Sequence, residues 1–149
     1  MLLLGKESAD RIRAHGAESY PHECCGALLG IDSETHREVH DTFAMVNRRD
    51  DSPRNRFSIT AQDFRDAERA ARELGLELVG WYHSHPDHPA QPSEYDREHA
   101  WPWYSYVIVS LTARLPGEIT AWRLADDRSQ FAPEEIQLQT RAATPRAAG

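Results

Sequence analysis

The chain has 149 residues, of which 40% are hydrophobic, and its formal net charge is -7 at pH 7. This length and hydrophobic fraction indicate one compact domain and exclude a disordered chain. The acidic balance disfavours nucleic acid as a partner, because phosphate backbones repel a negative surface. No apolar run approaches the roughly 20 residues of a membrane helix. Met1–Leu4 is too short for a signal-peptide core, so we expect a cytoplasmic protein without a membrane partner.

The amino-terminal third of the chain predicts one helix followed by two strands. Small and apolar residues recur on one face over about residues 6–19, which is typical of a helix. A short apolar run over residues 23–30 ends in glycine and predicts a buried strand. A more polar strand follows over about residues 38–46.

Arginines crowd the Arg48–Arg56 segment, which we predict to be a loop in an otherwise acidic chain. A solvated loop is the simpler interpretation, because runs of charge usually face water. The alternative is a flap whose arginines meet acidic groups on a partner protein and steer its approach.

The middle of the chain holds the clearest helix. After a brief predicted strand over residues 57–59, Thr60 precedes the helix and Asp63 stands at its third position, as in a capping box. Gly75 is typical of a helix end. A strand is then predicted over residues 76–82.

The remaining elements alternate again. Three prolines predict a loop over residues 85–93, and a short helix follows over residues 94–100. Apolar strands are predicted over residues 104–111 and 119–124, with a turn at Pro116-Gly117. This pattern predicts a single α/β domain over residues 1–140, with a frayed tail over residues 141–149.

The segment from His83 to Asp96 predicts a metal site. His83 and His85 stand at i and i+2 on a strand, so both side chains point to one face and their rings can converge on one ion. Asp96 can return to the pair over the rigid, Pro-rich loop. Two histidines and one carboxylate leave a fourth position for water, as in a catalytic zinc site. A lone His-x-His pair is weak evidence, but the string His83-Ser-His-Pro followed by Ser93-x-x-Asp96 is specific.

This string resembles the motif of the JAMM (MPN+) family, in which Glu, His-x-His, Ser and Asp recur in that order. Upstream, Pro21-His-Glu-Cys-Cys-Gly resembles the strand entry that bears the family's glutamate, and Glu23 matches that residue. The resemblance covers about residues 8–125. It implies a single MPN domain, an α/β fold with a curved mixed sheet flanked by helices, related to the cytidine deaminase architecture.

The resemblance also implies roles for five residues. His83, His85 and Asp96 would hold one zinc ion, which would lower the pKa of a water molecule to about 7. Glu23 would take the proton of that water and deliver it to the leaving amine. Ser93 would donate a hydrogen bond to the oxyanion, and it is also a candidate helix cap; the two roles are compatible.

Other residues near the motif have structural interpretations. His88 follows Pro86 in the loop, and the matching position of the family is not a ligand. Cys24 and Cys25 are adjacent and poorly placed for a disulfide, so we interpret them as small strand residues. Aromatic residues after the motif are interpreted as core, with a rim role as the alternative: Trp101, Trp103, Tyr104 and Tyr106.

The function implied by the resemblance is hydrolysis of the bond after the C-terminal Gly-Gly of a ubiquitin-like or sulfur-carrier protein. One alternative is a zinc amidohydrolase acting on small-molecule amides. Another is a non-catalytic MPN scaffold, which the complete motif disfavours. The Pro-Cys-x-x-Cys signature of zinc deaminases is absent, since Cys24-Cys25 has no spacer. The sequence leaves open the carrier, the leaving amine and the oligomeric state, a homodimer included.

Overall fold

A computed structural model describes residues 1–46 and 59–139 of the chain. Within these residues eight strands form one sheet, and three helices accompany it. No helix of this described part is long and apolar enough to cross a membrane. In chain order the elements are β1 (Leu2–Gly5), α1 (Lys6–Ser19), β2 (Cys25–Asp32), β3 (Arg37–Met45), α2 (Ala61–Glu73), β4 (Glu77–Pro86), α3 (Glu94–His99), β5 (Ser105–Thr112), β6 (Leu115–Leu124), β7 (Phe131–Glu134) and β8 (Ile136–Gln139).

The sheet is mixed and strongly curved. Its strand order is β7-β6-β5-β4-β2-β3-β1-β8. Strand β1 runs parallel to β3 and β8, and β4 runs parallel to β5, whereas the other neighbours are antiparallel. Strands β7 and β8 stand at opposite ends of this order, yet only Glu135 separates them in the chain. The sheet therefore curls so that its two edges approach each other at Glu135. Leu2 N donates to Glu135 O at 2.7 Å, where the pairing of β1 with β8 begins. The expected curved mixed sheet flanked by helices is confirmed.

Helices α1 and α2 cover opposite faces of the sheet because the central strands are apolar on both sides. Leu28 and Tyr82 pack on the α1 face with Ile12. Leu29 and Trp81 pack on the other face with the small side chains of α2. Burial of each large apolar side chain contributes about 1.5–3 kcal/mol, so the two layers fix β2 and β4 at the centre of the molecule.

The capping box predicted for helix α2 is confirmed. Asp63 N donates to Thr60 Oγ1 at 3.1 Å, and Thr60 N donates to Asp63 Oδ2 at 3.0 Å. Gly75 follows the helix with a φ of 70°, a left-handed conformation that glycine adopts without strain.

The turn predicted at Pro116-Gly117 is wrong. The chain turns at Ala113–Arg114, and β6 begins at Leu115. Ala113 N donates to Asp87 Oδ1 at 2.8 Å, and this contact from a distant loop fixes the earlier turn. Proline is tolerated near the exposed end of the hairpin, where strand bonds are dispensable.

The predicted boundary between strand and loop after the histidines is also wrong. Strand β4 continues to Pro86, because β5 runs beside it and Leu111 stands opposite Pro86. Strands β1, β7 and β8 are absent from the elements predicted from the sequence. Each of these three has four residues, too few for a clear alternation.

Several sequence predictions fall outside the described residues. The Arg48–Arg56 loop, most of the strand over residues 57–59 and the tail over residues 141–149 belong to this group. These predictions, and the domain boundary at residue 140, remain predictions.

Candidate metal centre and active-site cleft

Strand β4 presents two histidines on the same face of the sheet as Trp81, the face covered by α2. His83 and His85 are 1% and 7% exposed, and their Nε2 atoms lie 3.1 Å apart. The alternation of a strand places them on one face, and the neighbours β2 and β5 hold the backbone from both sides. The two rings therefore have little freedom to separate.

Asp96 is brought to this pair by the amino-terminal cap of helix α3. Asp96 N donates to Ser93 Oγ at 3.1 Å, and Ser93 N donates to Asp96 Oδ2 at 2.8 Å, which completes a capping box. The same Oδ2 lies 3.3 Å from His83 Nε2 and 3.3 Å from His85 Nε2. The cap thus aims the carboxylate at the histidines.

The three atoms have the spacing that a tetrahedral zinc ion requires. Bonds of about 2.0–2.2 Å from zinc to nitrogen or oxygen separate two ligand atoms by about 3.3–3.6 Å in tetrahedral geometry. Two of the observed separations are 3.3 Å, at the lower end of this range, and the third is 3.1 Å, slightly below it. Within the described residues, these three side chains form the cluster able to hold a metal ion. The residues present therefore fit zinc.

A hydrogen bond fixes the tautomer of one candidate ligand. His85 Nδ1 lies 2.8 Å from Pro89 O, and a carbonyl oxygen can only accept, so Nδ1 carries the proton. In the neutral ring, the lone pair of His85 Nε2 then faces His83 and Asp96. Such an outer hydrogen bond is typical of histidines that bind metals.

The electrostatics favour the protonation states that a metal ligand needs. Burial lowers the pKa of His83 below its usual value, which keeps the imidazole neutral. Burial by itself would raise the pKa of Asp96, but the histidines and the Ser93 backbone N–H outweigh it and hold that pKa well below its usual value. A neutral imidazole and an ionised carboxylate are the forms in which these side chains bind a metal ion.

Glu23 and Ser93 lie on the wall of a cleft of about 480 Å³ that also contains His85. Glu23 is 6% exposed and immediately precedes the buried residues that lead into β2. His88 lines this cleft as well, but it does not belong to the cluster of three candidate ligands. The sequence motif thus brings a carboxylate and a hydroxyl to the cleft that also contains one of the three candidate metal ligands.

A second cavity, of about 260 Å³, lies on the side of His83 and Asp96. Its wall combines Trp101, which is 42% exposed, with Tyr106, which is 6% exposed. The aromatic residues after the motif therefore divide between rim and core. Sequence reasoning missed Arg128, which also lines this cavity, because no local pattern links it to the motif.

Both cysteines are buried and neither is in a disulfide, in agreement with their interpretation as small residues of the strand region. Burial raises the pKa of the Cys24 thiol to about 12, so it stays protonated and unreactive at neutral pH.

The family described as prokaryotic homologs of the JAB domain matches residues 5–125. The chain therefore belongs to this family, and the expected JAMM/MPN+ membership is confirmed.

Relatives with established names include hydrolases. The chain is 33% identical over 120 residues to the desampylase of Haloferax volcanii, with 76% of this chain and 84% of that protein covered. It is 31% identical over 88 residues to the deubiquitinase BRCC36 of Xenopus tropicalis, covering 55% of this chain and 33% of that protein. It is also 29% identical to tail tip assembly protein K of Escherichia phage N15, covering 91% of this chain and 47% of that protein. The chain thus spans most of the desampylase but less than half of the other two.

Two solved structures share the fold. A solution structure from Desulfitobacterium hafniense superposes with a TM-score of 0.83 at 29% identity, covering 95% of this chain and 94% of that one. A solution structure from Salinibacter ruber gives a TM-score of 0.73 at 45% identity, with the same coverage.

Proposed function

We propose that this chain is a zinc-dependent isopeptidase or peptidase that hydrolyses the bond after the C-terminal Gly-Gly of a ubiquitin-like or sulfur-carrier protein. The observation that carries the proposal is the cluster of His83, His85 and Asp96, whose ligand atoms lie 3.1–3.3 Å apart beside a cleft that contains Glu23 and Ser93. The desampylase and deubiquitinase among its relatives support a substrate with a ubiquitin-like fold.

In the proposed reaction, Glu23 transfers the proton, and Ser93 stabilises the negative charge that develops on the carbonyl oxygen. When bound, zinc acts as a Lewis acid that polarises the scissile carbonyl and acidifies water. The Glu23 carboxylate accepts a proton from the attacking water and returns it to the nitrogen of the leaving amine as the C–N bond breaks. Ser93 Oγ accepts from Asp96 N, so its O–H remains available to donate to the carbonyl oxygen as negative charge develops there.

The position of the cluster supports this substrate class. His83 and His85 are buried and the Asp96 side chain is 9% exposed, so the scissile bond would reach them through the adjoining cleft. A Gly-Gly tail has no side chains and enters such an opening more easily than an ordinary segment. We further propose that the protein acts in the cytoplasm, without nucleic acid or membrane partners; a homodimer remains an open alternative.

Metal analysis and substrate comparison test the proposal. Protein purified without added metal should contain one zinc ion per chain. It should cleave a sulfur-carrier protein extended beyond Gly-Gly, as followed by mass spectrometry, and a chelator should abolish the cleavage. Absence of zinc together with failure to take it up would refute the metal assignment.

The same assay separates the proposal from its alternatives. An amidohydrolase acting on small amides would cleave a short acyl amide faster than the carrier. A non-catalytic scaffold would cleave neither substrate.

A further inference from the structure

Ser84 lies between the two histidines of β4, but its side chain points to the opposite face of the sheet. Ser84 is fully buried on the side covered by helix α1. It packs so closely against this helix that a Cβ added to Gly16 would lie 3.5 Å from the Cβ of Ser84. Ser84 therefore contacts neither the cleft nor the cluster of candidate ligands. The proposed reaction gives it no direct role.

The pairing between β2 and β4 changes character at this serine. The regular ladder ends with Cys25 opposite His83. One residue further, Ser84 N still donates to Cys24 O at 3.1 Å. In a regular antiparallel pair, the return bond would run from Cys24 N to the backbone carbonyl of Ser84. Here Cys24 N instead donates to the side-chain oxygen, Ser84 Oγ, at 2.8 Å.

This hydrogen bond from Cys24 N to Ser84 Oγ holds the backbone immediately next to Glu23. Cys24 is 2% exposed, so no water can replace the acceptor that Ser84 provides. Glu23 is the next residue towards the amino terminus, already beyond the strand. A catalytic group must be held within about 0.5 Å of its productive position, and a displacement of about 1 Å can lower the rate 100-fold.

We propose that Ser84 is a positioning residue that holds Glu23 in register with His83 and His85 by bonding the backbone amide of Cys24. One residue of β4 thereby links the strand of candidate ligands to the general base from the far side of the sheet. The inference rests on the proposed function, in which Glu23 is that base.

Ser84→Ala tests the inference with the zinc-loaded enzyme and a carrier substrate. The variant should retain one zinc ion per chain and a KM within about threefold of wild type, because the Ser84 side chain lies on the opposite face of the sheet from the ligand side chains and the cleft. Its kcat should fall about 10- to 100-fold, the loss expected for a displaced catalytic group. Ser8→Ala is the matched control, since Ser8 is also buried on the α1 side, at 2% exposure, and should leave kcat unchanged.

Hydrogen exchange gives a readout independent of activity. In Ser84→Ala, the amide of Cys24 should exchange at least about tenfold faster than in wild type, because a buried hydrogen bond protects an amide. Should this variant not fold, Ser84→Cys takes its place, since it keeps a side-chain acceptor at the same position but a weaker one. Unchanged exchange at Cys24 in a folded variant overturns the inference.

A double-mutant comparison separates positioning from a general structural effect. In a Glu23→Gln background, the further change Ser84→Ala should alter the residual rate less than about twofold. An equal loss in both backgrounds would mean that Ser84 does not act through Glu23. If Glu23→Gln alone retained wild-type activity, the proposed function would fail instead, so the two failures are distinguishable.

Discussion

At the scale of single residues, Glu23 is the most informative position. It is buried beside the candidate ligands, whereas Glu94 lines the same cleft with a side chain that is 69% exposed. Glu23→Gln keeps size and polarity but cannot move a proton, so we expect zinc binding to persist and kcat to fall about 100- to 10,000-fold. Steady-state kinetics together with zinc analysis of the purified variant measure both effects.

Glu94→Gln is the matched control for this prediction. It removes a carboxylate from the same cleft and should leave kcat within about twofold of wild type, because an exposed carboxylate contributes little. Comparable losses in both variants would indicate that the cleft needs its negative charge, rather than a base at Glu23.

At the scale of elements, helix α3 combines a structural and a chemical role in one residue. Ser93 caps the helix, and in our proposal its hydroxyl also stabilises the oxyanion. Replacing a serine cap by glycine lowers the free energy of unfolding by only about 0.3 kcal/mol. Ser93→Gly should therefore keep its melting temperature near that of wild type while kcat falls about 100-fold, the effect of losing one such donor.

Thr60→Gly provides the comparison, because Thr60 caps α2 with the same capping box. Both variants should lose the same small amount of stability in thermal unfolding, and only Ser93→Gly should lose activity. If Ser93→Gly retained full activity, Ser93 would be a helix cap alone.

The elements also show how far the sequence could be interpreted. The His83-x-His85 pair and both capping boxes are local patterns, so the cluster and the starts of α2 and α3 could be predicted. Strands β7 and β8 could not, because each has only four residues, and β8 also depends on β1 at the opposite end of the chain. The turn at Ala113 depends on Asp87 in the same way. Local chemistry was thus accessible, and contacts between distant segments were not.

At the scale of the whole molecule, Glu134 of β7 reaches towards the other end of the curved sheet, because its carboxylate lies 3.7 Å from the amino group of Met1, next to β1. Its side chain is 6% exposed, accepts from Ser105 Oγ at 2.8 Å and pairs with Arg123 Nη2 at 3.0 Å. Glu134→Ala leaves both partners without an acceptor, which should lower the free energy of unfolding by about 1.5–3 kcal/mol. Urea denaturation measures the change, and zinc content and kcat should remain those of wild type.

The neighbouring Glu135 supplies a control for the Glu134 variant. It is exposed, so Glu135→Ala should change the free energy of unfolding by less than about 0.5 kcal/mol. Equal stability of the two variants would contradict a role for Glu134 in closing the sheet.

An arginine-rich segment in the acidic chain could attract the carrier substrate that we propose. The net charge is -7, yet Arg48 and Arg49 belong to an arginine-rich segment. Arg48→Glu combined with Arg49→Glu should raise KM for a protein substrate and spare a short Gly-Gly peptide amide, if the segment attracts acidic groups on the carrier. The effect should shrink in salt, because exposed charges are screened within about 10 Å at 0.1 M. Equal losses on both substrates would point to damaged chemistry instead, and no loss on either would support the solvated loop.

The pairing of β1 with β8 means that the sheet cannot be completed until the end of the chain has been synthesised. Strand β1 emerges early, but the strand that covers its outer edge lies at residues 136–139 and emerges much later. Until then the outer edge of β1 is exposed, and an exposed strand edge is a site for unwanted pairing with other chains. Contacts between such distant segments also slow folding. Resistance to proteases should therefore appear only once β8 has left the exit tunnel, even though His83, His85 and Asp96 emerge well before it.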